Sequence, residues 1–194
     1  MAMPDLLSHD MQAWTASSQQ HIFRQLMRAF SYPGRIETLA TSGAHALTLT
    51  LAALIDRGSS LADPQNLIDD LTRQRLQTPL TVAEHAHFVV ADGTRPPAFT
   101  PALGSLESPE HGATIVLTVV ALGVGTDCRL EGPGIAGSQS LAVTGLEPSW
   151  LEQRRSWNSA FPLGVDIILL DTIHAVALPR TTRITLKGKQ PWAT

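Results

Sequence analysis

The chain has 194 residues, 43% of them apolar and 16% charged, which supports a packed core and excludes intrinsic disorder. Its formal net charge is −3, from 14 Lys+Arg against 17 Asp+Glu, so no global positive field is available to hold nucleic acid or an anionic membrane. A single cysteine, Cys128, excludes an internal disulfide and zinc sites built on several thiolates.

The start of the chain carries Asp5 and Asp10 and no Lys or Arg, the reverse of a secretory signal. No apolar run reaches the roughly 18 residues that cross a bilayer. These features predict a cytoplasmic protein folded as one domain over 1–194, with 1–16 as an extended or poorly ordered N-terminal segment. The basic residues comprise twelve arginines and only two lysines, Lys187 and Lys189. An enzyme that forms a Schiff base needs a desolvated lysine in its core, and the sequence offers none there.

The clearest predicted helix spans 17–31, with Ser17 as N-cap and Gln20 in capping-box position. Helical spacing puts Ile22, Phe23, Leu26, Met27 and Phe30 on an inner face and His21, Arg24 and Arg28 on an outer one. Between Asp10 and Glu37 there is no acidic residue, so Arg24, Arg28 and Arg35 form a cationic strip suited to a solvated face, an acidic partner or a phosphate. A second, buried helix is expected over 44–56 and a short strand over 60–62. Asp63 as N-cap and Pro64 at the first position then open a helix that runs to Leu76. A strand follows at 86–91, and a proline-rich loop from Asp92 to Pro101.

From Gly112 the pattern turns to strands. The apolar run 113–122 reads as one strand buried on both faces, followed by a turn at Gly123-Val124-Gly125 and a strand at 126–130. After a glycine-rich turn come strands at 138–143, 165–170, 175–178 and 182–186, and a helix from Pro148 to Asn158. Helices and strands alternate, and the strands crowd into the second half, which predicts a layered α/β domain with a mixed sheet and hairpins.

Chemistry-bearing motifs are sparse. Gly132, Gly134 and Gly137 reproduce the G-x-G-x-x-G spacing of a dinucleotide loop. However, the residues that follow look extended, and a pyrophosphate site there needs a helix N-terminus. Arg129 and the turn amides remain as a minor anion contact. Asp166 lies in an apolar strand and needs a basic partner or a cleft, with Arg129 and Arg180 as candidate partners. His85 and His87 lack a third ligand at a recognisable spacing, and Cys128 has no neighbouring histidine to activate it. Read from its residues alone, the chain is an α/β domain without a self-sufficient active site.

Several segments together carry a resemblance: Gln20 to Gly34, Gly132-Pro133-Gly134-Ile135, Phe161 to Asp166, and Leu178 to Thr182. In this order they resemble the PhnH subunit family of the bacterial carbon-phosphorus lyase system. The resemblance implies a three-layer α/β fold with a mixed β-sheet flanked by helices, similar to a reduced pyridoxal-phosphate transferase without the cofactor. It also implies a homodimer that assembles with PhnG, PhnI and PhnJ subunits. The implied task is transfer of ribose 5-triphosphate from ATP to a phosphonate with release of adenine, without catalysis by this subunit alone. It supplies no catalytic residue, no metal and no cofactor. The expected anion or partner contacts are Arg129, Gly132, Gly134, Asp166, Arg180, Arg24 and Arg28. A ligand-free structural adaptor and a stand-alone nucleotide-binding oxidoreductase are the rival readings.

Overall fold

The computed structural model describes residues 12–39 and 44–186. Helix α1 spans Ala16–Ser31, with Thr15 as its N-cap, the hydroxyl accepting from the Ser18 amide. The cap therefore lies two residues before the predicted Ser17. Of the N-terminal segment expected to be extended, 1–11 lie outside the described residues. Ala13, by contrast, is buried in the same cluster as Ile22 and Leu26, so the fold already includes this part of the segment.

Glu37–Thr38 form β1 and Ala46–Leu54 form α2. Strand β2 (Leu61–Ala62) precedes a non-helical turn in which the Asp63 carboxylate accepts from the Leu67 and Ile68 amides. Helix α3 begins only at Asp70 and ends at Leu76, because Asn66 takes φ 53° and Asp69 provides the working cap to the Thr72 amide. An Asx-type side chain that captures nearby amides competes with the helix it was expected to start.

The central sheet has six strands in the order β1-β8-β7-β4-β3-β2, where β3 is Phe88–Asp92, β4 Thr114–Thr118, β7 Asp166–Leu170 and β8 His174–Leu178. Strands β2, β3, β4 and β7 run parallel, while β8 and then β1 add antiparallel at one edge. Along β4 the side chains alternate. Val116 packs with Val90, Ile168 and the helices α1 and α2. Ile115 and Leu117 point the other way.

That other face is covered mainly by a second, three-stranded antiparallel sheet, β6-β5-β9, formed by Ala121–Glu131 (β5), Gln139–Thr144 (β6) and Arg183–Leu186 (β9). Helix α4 (Ser149–Trp157) completes this layer, with Phe99, Trp150 and Trp157 in mutual ring contact at centroid distances of 5.9–6.4 Å. The buried Trp150 indole donates to the Arg95 carbonyl at 2.7 Å. The predicted mixed sheet flanked by helices is therefore present, with one flank built largely of strands.

Two sequence expectations change here. The run 113–122 is not one strand: β4 stops at Thr118, and the Val120 amide then donates to the Thr144 carbonyl in the second sheet. Nor does Gly123-Val124-Gly125 make a turn between strands. It is a register shift inside continuous β5, with Gly123 and Gly125 at φ 88° and 108°. Such an irregularity bends a strand without ending it.

Candidate functional site

Asp166 opens β7, and Arg180 lies in the turn that leaves β8, where the Thr182 amide donates to the Pro179 carbonyl. Their side chains meet. The Arg180 backbone N–H donates to Asp166 Oδ1 at 2.6 Å and Arg180 Nη2 to Oδ2 at 2.8 Å, while Nη1 donates to the carbonyls of Pro109 (2.8 Å) and Pro162 (3.2 Å). Gly112 lets the guanidinium approach: a Cβ there would lie 2.9 Å from Nη1 and strike the Gly164 carbonyl. This arrangement is a latch that ties three loops to the start of β7.

A neighbour reinforces it. Arg154 of α4, 5% exposed, donates to the carbonyls of Pro179 at 2.6 Å and Thr182 at 3.0 Å. Burial lowers its pKa to about 10, and the negative charge of Asp166 acts in the opposite direction. Both Asp166 oxygens are occupied, so the carboxylate is a structural ion-pair member rather than a free base. The latch also lies at the N-terminal ends of β4 and β7, away from the carboxyl ends where open α/β sheets bind ligands.

The glycine turn has a comparable explanation. Gly132, Gly134 and Gly137 take φ 138°, 81° and 77°. A Cβ on Gly132 would come 2.9 Å from the Thr181 carbonyl, and one on Gly134 would collide with the Ser31 carbonyl and Pro33. The turn is thus wedged between the end of α1 and the latch, and strand β6 follows it at Gln139 in place of a helix. Its spelling comes from close backbone packing. Arg129 pairs with Glu131 at 2.9 Å, both side chains largely exposed, and does not reach Asp166.

Beside the turn lies an open groove of about 680 Å³, lined among others by Tyr32, Arg35, Ile36, Asp127, Ala136 and Gln139. Arg35 does not offer it a free charge: its guanidinium sits over the Tyr32 ring and 3.1 Å from Glu37 Oε1. Arg28 binds Glu37 Oε2 at 2.8 Å. The buried Glu37 thus neutralises part of the predicted cationic strip. Arg24 is exposed and has no hydrogen bond or ion pair among the described residues. Phe23 and Met27, assigned by periodicity to the inner face, are 45% and 49% exposed, and Ile22, Leu26 and Ala29 fill the core side instead.

A second cleft, of about 430 Å³, holds His87, His111, Glu110 and Asp56. There the Ser60 amide donates to His87 Nδ1 at 3.1 Å. Among the described residues no three His, Cys, Asp or Glu side chains converge in a metal-binding group. Cys128 is buried, and that burial, together with Asp127, pushes its thiol pKa up, away from reactivity.

Sequence reasoning paired Asp166 with a basic residue but missed Arg154 and Glu37. The signals were present. Arg154 stands between the two tryptophans of an amphipathic helix, and Glu37 is the first carboxylate after a long basic stretch.

The fold and site define a mixed α/β protein that spends its buried charges on tying its own loops together. The family described as bacterial phosphonate metabolism protein (PhnH) matches residues 11–185, and the chain belongs to that family. It is 50% identical over 175 residues, 90% of each chain, to the putative C-P lyase subunit protein HtxG of Stutzerimonas stutzeri. It is also 30% identical over 184 residues to the alpha-D-ribose 1-methylphosphonate 5-triphosphate synthase subunit PhnH of Rhizobium meliloti (strain 1021), covering 85% of this chain and 89% of that one.

Proposed function

We propose that the chain is a subunit of a carbon-phosphorus lyase core complex, required with PhnG, PhnI and PhnJ partners for transfer of ribose 5-triphosphate from ATP to a phosphonate with release of adenine. Its homodimeric state, its cytoplasmic location and its likeness to a reduced pyridoxal-phosphate transferase working without that cofactor belong to the same reading. The family match over residues 11–185 carries it, and the division of labour rests on Arg28, Arg129, Asp166 and Arg180 being engaged within the chain. Displacing adenine from ribose requires groups that stabilise an oxocarbenium-like centre and a polyphosphate. Those groups belong to the partners, and this subunit contributes architecture.

Reconstitution with and without this chain tests the reading, with product formation from ATP and methylphosphonate as the readout. Activity is expected only in the full set. Turnover by the isolated chain would overturn the division of labour, and full activity without it would overturn the requirement. The ligand-free adaptor reading is favoured over an anion site by the engagement of Arg129 and Arg180. Arg129→Ala is the discriminating substitution, because it leaves the latch intact, and unchanged activity in the assembled complex is expected. The strand that follows the glycine turn speaks against the oxidoreductase reading, and titration with NAD(P) is expected to show no binding.

A further inference from the structure

The outward face of α1 is unusual for a helix on a globular domain. Its inner face contributes Ile22, Leu26 and Ala29 to the core, yet Phe23 and Met27, one turn apart, stand half exposed on the outside. A side chain four residues on lies over its predecessor, so the two form a single apolar ridge. Beside that ridge project Arg24 and Arg28. Arg28 and Arg35 share one carboxylate, that of Glu37, while Arg24 has no hydrogen bond or ion pair among the described residues.

We infer that this face docks a different protein chain that presents an apolar strip rimmed with carboxylates. The occupant is chosen by charge. Two copies packed face to face would bring the Arg24–Arg28 rows together with only the buried Glu37, already shared by Arg28 and Arg35, as counter-charge, because α1 itself carries no carboxylate, and juxtaposed like charges oppose such an interface. An acidic rim satisfies Arg24, and the Phe23–Met27 ridge supplies the desolvated centre that interfaces need. The inference rests on the complex-subunit reading above and assigns it a surface.

The test is co-expression of the full-length tagged chain with the other subunits of the complex, followed by quantitation of its incorporation at low and high salt. The variant Arg24→Glu/Met27→Glu is expected to cut incorporation by about tenfold or more, while the free subunit keeps its melting temperature and sedimentation. Arg155→Glu, which reverses one charge on the exposed side of α4, should incorporate normally. Raising the salt should weaken incorporation of the wild type more than that of Arg24→Ala. Normal incorporation of the double variant, alongside an incorporating wild type, would overturn the docking face alone. Failure of the wild type to incorporate would instead overturn the subunit reading. A change in the free subunit's own oligomeric state would assign the face to a second copy. A drop in its melting temperature that deletion of residues 2–11 reproduces would assign it to this chain's own N-terminal segment. Either of these last two results overturns the proposal.

Discussion

The latch around Asp166 and the outer face of α1 use the same residue types to opposite ends. At the latch, Arg154 and Arg180 are enclosed and donate to carbonyls of Pro109, Pro162, Pro179 and Thr182 as well as to Asp166. On α1, Arg24 makes no hydrogen bond or ion pair among the described residues. Enclosed guanidiniums keep their charge because acceptors meet most of their donors, Arg154 Nε being a buried exception. The difference shows that arginine content says little about anion binding until the acceptors have been counted.

Removing the enclosed side gives the largest expected effect. Arg180→Met strands Asp166 and two loop carbonyls and should cost about 3–5 kcal/mol, read as a lowered urea midpoint. Asp166→Leu combined with Arg180→Met should cost less than Arg180→Met alone; a larger loss would show that the carbonyl contacts, not the ion pair, dominate the latch. Next, Gly134→Ala forces a Cβ into the Ser31 carbonyl at positive φ and should cost about 2–3 kcal/mol in the same assay.

Asp171 gives a smaller, pH-dependent effect. Burial alone pushes its carboxyl pKa up, but hydrogen bonds from the Ile173 amide, the His174 ring and the Leu122 and His174 amides outweigh this and hold it below the ordinary carboxylate value. A folded pKa below the unfolded one means stability that is fully present above the unfolded value and lost as pH falls through the folded one. Asp171→Asn should therefore cost about 1–2 kcal/mol at neutral pH, and the difference from wild type in thermal melts should close below about pH 4. Arg129→Ala should be nearly silent, within about 0.5 kcal/mol, since its pair with Glu131 is exposed. A large loss there would erase the contrast between enclosed and open arginines.

Much of the architecture was legible because it is local. The β7–β8 hairpin, the buried α2 and the strand after the glycine turn all follow from apolar runs and turn residues. The Asp166–Arg180 pair was legible because a carboxylate in an apolar strand demands a partner. What escaped depends on tertiary geometry. Phe23 and Met27 satisfy the helical period yet lie beyond the arc that α1 presents to the sheet. The run 113–122 carries no residue that marks where it changes sheets. The only signal for Arg154 was its place between Trp150 and Trp157, since its partners are three carbonyls of a distant turn that converge on it.

That change of sheets at Val119-Val120 also bears on how the protein comes apart. Strand β4 lies between β3 and β7, and β5 lies between β6 and β9, so one uninterrupted stretch of chain, 114–131, provides an interior strand to each sheet. Neither sheet can lose its middle without pulling on the other. Amide exchange in β4 and β5 should accordingly proceed at matching rates through a shared global opening, and limited proteolysis should release no fragment that keeps only one of the two sheets.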